Sequence, residues 1–497
     1  MQPFSSSSSD CLLGNTDASA DADEHPASTS IDRHAAFGGS ETRQRVEKRL
    51  LQKLDLRVFF LVFVYALKHV GLFLGLAARL QGLEEDLHMT GQQFNTLISI
   101  LYVGYVPMQI PSNIFLNQIR KPSIYLSCGI FFWGVSSIWT GCRVPAQLKS
   151  SFRAALLSRL FLGFTEAAYY PGALFMISRW YKHHEIGSRL VYFTCGSAAS
   201  KIIGPPIASG ILGTMDGIRG YAAWRWLFFI EGVLTCLVAA IALNLIPDFP
   251  TTPASWLTME EQILAQERMV EDVYGIENDP LKSIPRSGLV GVATDWTVWW
   301  LAVAMNFLTV MLSFENFFPT LVATIGHGPI VSLLLCSPPW ILGAATSLFI
   351  MRHSDATRER FWHVTVPVSM AIVGFTIAIL SMNTAIRYLS LFFMAQSSVS
   401  YIISITWLSN SIPEPSKRAV AIAFINAFAS LGDIGAPYFW IASWGPSYSK
   451  SYLICIFMAV IAIMMLWVYR LHLMRLNKQA EKHERTLGLP VGFRYII

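Results

Sequence analysis

Charged side chains are scarce in this chain. Asp, Glu, Lys and Arg make up only 14% of the 497 residues against 53% hydrophobic, and mean hydropathy is +0.45. So few charges cannot cover a soluble globule, so the surface must face lipid. Close cysteine pairs are missing too. The seven cysteines are scattered, mostly within apolar runs, which excludes a disulfide framework and a zinc site. No GxxxxGK phosphate loop, HExxH or GxSxG occurs, so nothing points to nucleotide hydrolysis or nucleophilic catalysis. Such a chain, if it moves something, is a secondary transporter, and neither an enzymatic activity nor a cofactor is expected.

What is abundant is the long apolar run. Stretches of about 20 residues, enough to cross a bilayer core, fall near 58–80, 93–115, 123–142, 154–178, 189–213 and 223–247, then 297–323, 330–352, 362–382, 387–409, 417–441 and 450–470. Hydrocarbon cannot satisfy backbone groups, so unalternated runs of this length must be helices rather than barrel strands. The fold class is therefore an all-α membrane protein with twelve transmembrane helices in two six-helix halves, 48–247 and 297–470. Residues 1–47, rich in Ser, Ala and Asp, read as a disordered tail, and 471–497 as a short C-terminal tail. The first span is expected to serve as the targeting signal. Arg43, Arg45, Lys48, Arg49, Lys53 and Arg57 before span one, with Arg475, Lys478, Lys482 and Arg485 after span twelve, put both termini in the cytosol. The net charge of +5 sits at those flanks, where anionic lipid explains it better than nucleic acid. The linker 248–296 reads as an amphipathic cytosolic connector, with Ser255 or Thr258 capping a helix, giving the halves slack to rock.

Charges inside the apolar runs are the candidate functional groups. In span four, RLFLGFTEAAYYPG places Glu166 seven residues after Arg159, almost back on the same helix face with Gly163 and Tyr170. Two turns, roughly 10 Å, are too long for a direct pair. A charge at mid-membrane costs at least ~2.5–3.5 kcal/mol, so this stripe is expected to face a wet interior, or else to latch span four to span one or eleven. Tyr105 and Gln109, spaced i, i+4, form a polar stripe in span two. Lys201 lies at mid-depth in span five. Glu315 in span seven and Asp433 in span eleven, on one face with Asn426, are further candidate proton carriers; equally, Asp433 could pair permanently with Lys201 or Lys68.

The halves also echo each other. SNIFLNQIRK follows span two and IMRHSDATRER follows span eight, so that Asn117 and Arg120 repeat the spacing of Asp355 and Arg358. Both resemble the cytosolic loop motif G-x-x-x-D-R-x-x-R of the major facilitator superfamily, which implies a gating role for Asn117, Arg120, Asp355, Arg358 and Arg360. In the first copy Asn113 stands for the glycine and Asn117 for the acid.

GLEEDLHMTGQQFN (82–95), QIPSN (109–113), RLFLGFTEAAYYPG (159–172), AAWRWLFFIEG (222–232), IPDFPTTPASWLT (246–258), FFPT (317–320), WLSNS (407–411) and KRAVAIAFINA (417–427) are similar to the fungal allantoate permease branch of the anion:cation symporter family. The resemblance spans roughly residues 50 to 475. It implies proton-coupled import of a small organic anion (a carboxylate, vitamin or nitrogen source), with Arg159 on the substrate anion, Glu166 carrying the proton, Tyr105 and Asn426 at substrate positions, and a monomer in the plasma membrane. Lys201 and Lys68 would add positive charge and Gln109 a polar contact. Span one departs from the family's N-x-x-D-R-[ST]-N-I-G-N-A. It reads Lys68-His69-Val70-Gly71-Leu72-Phe73-Leu74-Gly75-Leu76-Ala77, without the acid or the arginine. That departure and the GPP of span five leave a proton antiporter exporting a metabolite or toxin as an alternative, with a non-transporting nutrient receptor as another.

Overall fold

Residues 40–142, 151–277, 288–412, 415–487 and 494–497 are described by the computed structural model, and every regular element among them is a helix. The first half holds span one (Ser40–Ala77), span two (Gly91–Gln118), span three (Pro122–Gly141), span four in two segments (Ser151–Glu166 and Tyr169–Trp180), span five (His183–Thr214) and span six (Ala223–Leu245). The second half holds span seven (Trp296–Leu312 and Phe314–Ala323), span eight (Pro329–Leu334 and Ser337–Thr357), span nine (Phe361–Leu380), span ten (Thr384–Ala395 and Ser398–Ser411), span eleven (Pro415–Gly435) and span twelve (Ser449–Leu487). Ten of these are long and apolar enough to cross a membrane by length and composition. Spans two and five, with 28 and 32 residues, are about 42 and 48 Å long at 1.5 Å per residue, which completes twelve.

Local chemistry sets where helices start and break. The Thr90 hydroxyl accepts from Gln93 N while the Gln93 amide oxygen accepts from Thr90 N, a capping box that opens span two. Span four breaks at Ala167–Ala168 because Pro171, four residues on, has no N–H and its ring clashes with the Ala167 carbonyl. Glu166 is thereby the last residue of a helical segment rather than a mid-helix side chain. Spans two and four approach through glycine: a Cβ on Gly163 would sit 2.0 Å from the Leu101 carbonyl oxygen, and one on Gly104 2.4 Å from that of Leu160. Only glycine permits that approach. Around the outside, apolar residues cover the helices: in span one Leu54, Leu61 and Val64 are buried while Leu56, Phe59 and Phe63 are exposed. Both faces are apolar because one meets protein and the other lipid.

The two halves meet at the end remote from the linker. There Asn95 donates to the Trp440 carbonyl (3.1 Å), Ser209 to that of Ile330 (3.1 Å), Ser337 to that of Ile202 (2.9 Å), and Tyr438 to the Thr96 hydroxyl (3.2 Å). The bundle is closed at that end.

Several expectations are corrected here. Residues 40–47 are helical rather than disordered, being the first two turns of span one; residues 1–39 lie outside the described residues. The local composition misled because the partners are distant. Glu47 pairs with Arg268 at 2.7 Å and Arg43 with Glu271. The linker helix Met259–Glu277 is docked on the first half rather than loose, while residues 278–287 of the connector lie outside the described residues. It is capped by Thr258, not Ser255, through Glu261 N to Thr258 Oγ1 (3.3 Å). It is clasped to the first half by Arg268, fully buried and 2.7 Å from Glu185 as well, by Lys53–Glu261 (2.6 Å) and by Lys182–Glu271 (3.2 Å). Burial alone would raise the Glu271 carboxyl, but hydrogen bonds from Arg43 and Lys182 outweigh it and hold it below the usual range. Glu261 is lowered likewise: burial is overcome by Lys53 and the Thr258 cap. Span twelve continues past 470 to Leu487, and residues 494–497 return to the bundle. There Ile497 O accepts from Arg360 N (2.7 Å) and Ile496 O from the Trp407 indole (2.9 Å).

Candidate transport site

Three consecutive turns of span one face the interior charges. Lys68 Nζ lies 3.5 Å from Glu166 Oε2 and 4.3 Å from the centre of the Tyr105 ring. The acid expected to need a partner of its own has one, supplied by span one. One turn on, a Cβ on Gly71 would lie 2.7 Å from Glu231 Oε1, and another turn on, one on Gly75 would lie 2.7 Å from an Arg159 terminal nitrogen. The glycines thus make the room into which span four and span six project their charged groups. Arg159 is 7% exposed, stacks on Phe228 (5.1 Å) and leaves its Nε without a hydrogen-bond partner. Among the described residues no carboxylate lies within ion-pair distance of it. Tyr65, which stacks on Phe193 at 4.5 Å and meets His69 edge-on at 4.6 Å, walls this side with Tyr170.

A second group crosses between the halves. Lys201 Nζ is 2.6 Å from Glu315 Oε2 and 4.4 Å from the Trp340 ring centre. The pairing of Asp433 with Lys201 or Lys68 is therefore corrected: each lysine has taken another carboxylate, and Asp433 lies only within electrostatic range of Glu315 and Lys68. Helix packing decided the partners, since Glu315 comes from the broken span seven, four residues before Pro319. Gln109 is buried with Nε2 unpartnered, and Asn426 accepts from the Tyr401 hydroxyl at 2.8 Å.

At the linker end Asp355 and Arg360 form an ion pair at 2.6 Å, and Arg360 also donates to Ser354 Oγ at 2.9 Å. Arg358 ends span eight with φ 50°, its side chain exposed, as is that of Arg120. The side chain of Asn117 lies outside the described residues. Sequence reasoning passed over Glu231, although it is an acid in an apolar run like Glu166 and the same criterion finds it. It is 4% exposed, accepts from the Ser137 hydroxyl, and lies 3.3 Å from Thr235 Oγ1.

Twelve helices in two halves, closed at one end over a cluster of buried charges, define a secondary transporter. Residues 58–437 match the family model of the Major Facilitator Superfamily, and the chain belongs to that superfamily. It is 30% identical over 465 residues to the MFS-type transporter cnsO of Penicillium expansum, covering 90% of this chain and 86% of that one. It is 28% identical to a putative tartrate transporter of Agrobacterium vitis, over 79% of this chain and 87% of the relative. The fold is that of a bacterial homologue of the human lysosomal transporter Spinster, with a TM-score of 0.63 at 17% identity over 83% of this chain and 96% of that chain.

Proposed function

We propose that the chain is a proton-coupled importer of a small organic anion, a carboxylate being the favoured class, working by alternating access in the plasma membrane with both termini cytosolic. The observation that carries this reading is Arg159, a buried guanidinium without a carboxylate partner among the described residues. A buried cation with no direct ion pair, and only the more distant Glu166 and Glu231 carboxylates for compensation, is suited to receive an anion. The Lys68–Glu166 pair supplies the coupling. While Glu166 is ionised it holds the ammonium. A proton on Glu166 releases Lys68, which then joins Arg159 in binding the anion, so proton and substrate arrive together. The resemblance to a putative tartrate transporter supports the carboxylate class. Gate roles for Asp355, Arg358, Arg360 and Arg120 rest on the loop motif and on the Asp355–Arg360 pair at the linker end.

One observation favours proton antiport of a cationic solute as a second reading: Asp433, a span-eleven carboxylate within ion-pair distance of no cation among the described residues. Uptake of a labelled carboxylate panel by cells expressing the chain separates the two. Accumulation driven by external acid supports symport, whereas loss of a preloaded cation under the same gradient replaces it with antiport.

A further inference from the structure

Glu231 is a buried carboxylate that the proposed cycle leaves unused, and its surroundings differ in kind from those of Glu166. Glu166 has an ammonium at 3.5 Å, whereas Glu231 has hydroxyls: Ser137 on Oε2 and Thr235 beside Oε1. A cation partner favours only the ionised form. A hydroxyl both donates and accepts, so it can donate to a carboxylate and still accept from a carboxylic acid. The site is also prepared by the fold, because the missing side chain at Gly71 leaves the notch that Oε1 fills.

The charged and titratable groups that face Glu231 are few. Span four contributes Arg159 and Glu166, both within electrostatic range. Span three contributes Ser137, and span one contributes glycine at 71 and 75, with Lys68 one turn before and held by Glu166. Span five's Lys201 is held by Glu315, and span six itself adds Cys236.

We propose that Glu231 is a second proton site that controls whether Arg159 is available to the substrate anion. Ionised, Glu231 competes with the substrate for the guanidinium. Protonated, it leaves the guanidinium to the substrate. Proton and anion binding are then positively linked through this residue, and by reciprocity the anion favours protonated Glu231. The step is a proton equilibrium only, with solvent water as the exchanging partner. The inference rests on the proton coupling proposed above.

The test is infrared titration of the purified full chain in lipid, without substrate, following the C=O band of protonated carboxyls from acid to alkaline pH. Wild type is compared with Glu231→Gln, Glu231→Asp and Glu166→Gln. The expected result is loss of one titrating carboxyl per protein in Glu231→Gln and its retention, at a displaced midpoint, in Glu231→Asp. Ser137→Ala, which removes a donor to the ionised form, should move that carboxyl's midpoint to higher pH, and it serves if Glu231→Gln does not fold. An unchanged titration in both Glu231→Gln and Ser137→Ala, with the band lost only in Glu166→Gln, overturns the inference and leaves the coupling reading intact. Loss of the band in Glu231→Gln while wild-type uptake ignores the pH gradient supports the site and refutes the coupling reading instead.

Discussion

Spans four and ten are repeat mates, and both break midway, but the breaks hold different chemistry. Span four breaks after Glu166, whose carboxylate meets Lys68 of span one. Span ten breaks after Ala395, where Gln396 accepts from Thr346 of span eight and donates to the Phe392 carbonyl at 2.9 Å. Pro171 explains the first break; no proline stands in an equivalent place in span ten. The same device therefore carries an ionisable group in one half and a neutral amide in the other. The surroundings agree. The first half gathers Lys68, Arg159, Glu166 and Glu231, while the second packs Phe314, Phe318 and Trp340 (4.8 Å from Phe318) with Trp440 stacked on Phe317 at 5.3 Å. The first half thus holds the charges of the proposed cycle, while the second sets Glu315 and Asp433 beside an aromatic wall.

The largest expected effect falls on that division. Arg159→Gln should weaken anion binding by about 1.5–3 kcal/mol, the range for hydrogen bonds to charged groups, which is roughly 10- to 150-fold in Kd. Gln396→Leu should leave Kd nearly unchanged, its cost being confined to a neutral hydrogen bond, about 0.5–1.5 kcal/mol of stability. Calorimetry on both variants checks this. Equal losses of affinity would end the assignment of substrate charge to the first half.

Next comes coupling. Glu166→Gln leaves Lys68 permanently free, so substrate should bind and exchange while uphill accumulation under a pH gradient disappears. Counterflow compared with gradient-driven uptake in the same vesicles reads the difference. If Glu166 alone carries a proton across with each monoanion, Glu231 returning its own to the side it came from, the wild-type cycle moves no net charge, so a potential acting at about 2.3 kcal/mol per charge per 100 mV should have little influence. A substrate-induced current at constant pH would contradict that stoichiometry.

Which parts of this arrangement could be read from the sequence follows from what each depends on. The helices and the charges of span four are local facts: an apolar run has a length, and Arg159 and Glu166 stand out within it. Partner choice is not local. Lys201 finds Glu315 across the halves, 114 residues away, and Arg268 finds Glu47 and Glu185, so the pairing proposed for Asp433 failed where helix packing decided. Gly71, read as a lost acid, becomes intelligible only when span six is seen to place Glu231 against it.

A smaller effect is expected at the bridge between the halves. Lys201 and Glu315 have side chains 23% and 21% exposed, so their pair is worth about 1 kcal/mol after solvent screening, roughly a fivefold population shift. Glu315→Gln should open the closed end by that factor. Labelling of a Ser337→Cys reporter, buried where span eight meets span five, by a membrane-impermeant maleimide should speed up accordingly, and the swap Lys201→Glu with Glu315→Lys should restore the slow rate. Unchanged labelling in Glu315→Gln would mean that the aromatic wall alone sets the closure.

The smallest effect belongs to the linker clasp. Glu261 and Glu271 both titrate below the ordinary carboxylate value, since hydrogen bonds from Lys53 and Thr258 in one case and from Arg43 and Lys182 in the other outweigh burial. A depressed carboxyl contributes stability that is fully present above the ordinary value, about 4.3, and is lost as pH falls through the lower folded value. The clasp should thus be insensitive to pH across the neutral range and loosen only in acid, each pair contributing under about 1 kcal/mol. Hydrogen exchange of residues 259–277 should therefore accelerate below that pH relative to spans two and eleven, and Glu271→Gln should bring the faster exchange to neutral pH. If exchange in the linker helix stays as slow in acid as at neutrality, the ion pairs do not hold it, and the buried Leu264 and Ala265 must do so instead.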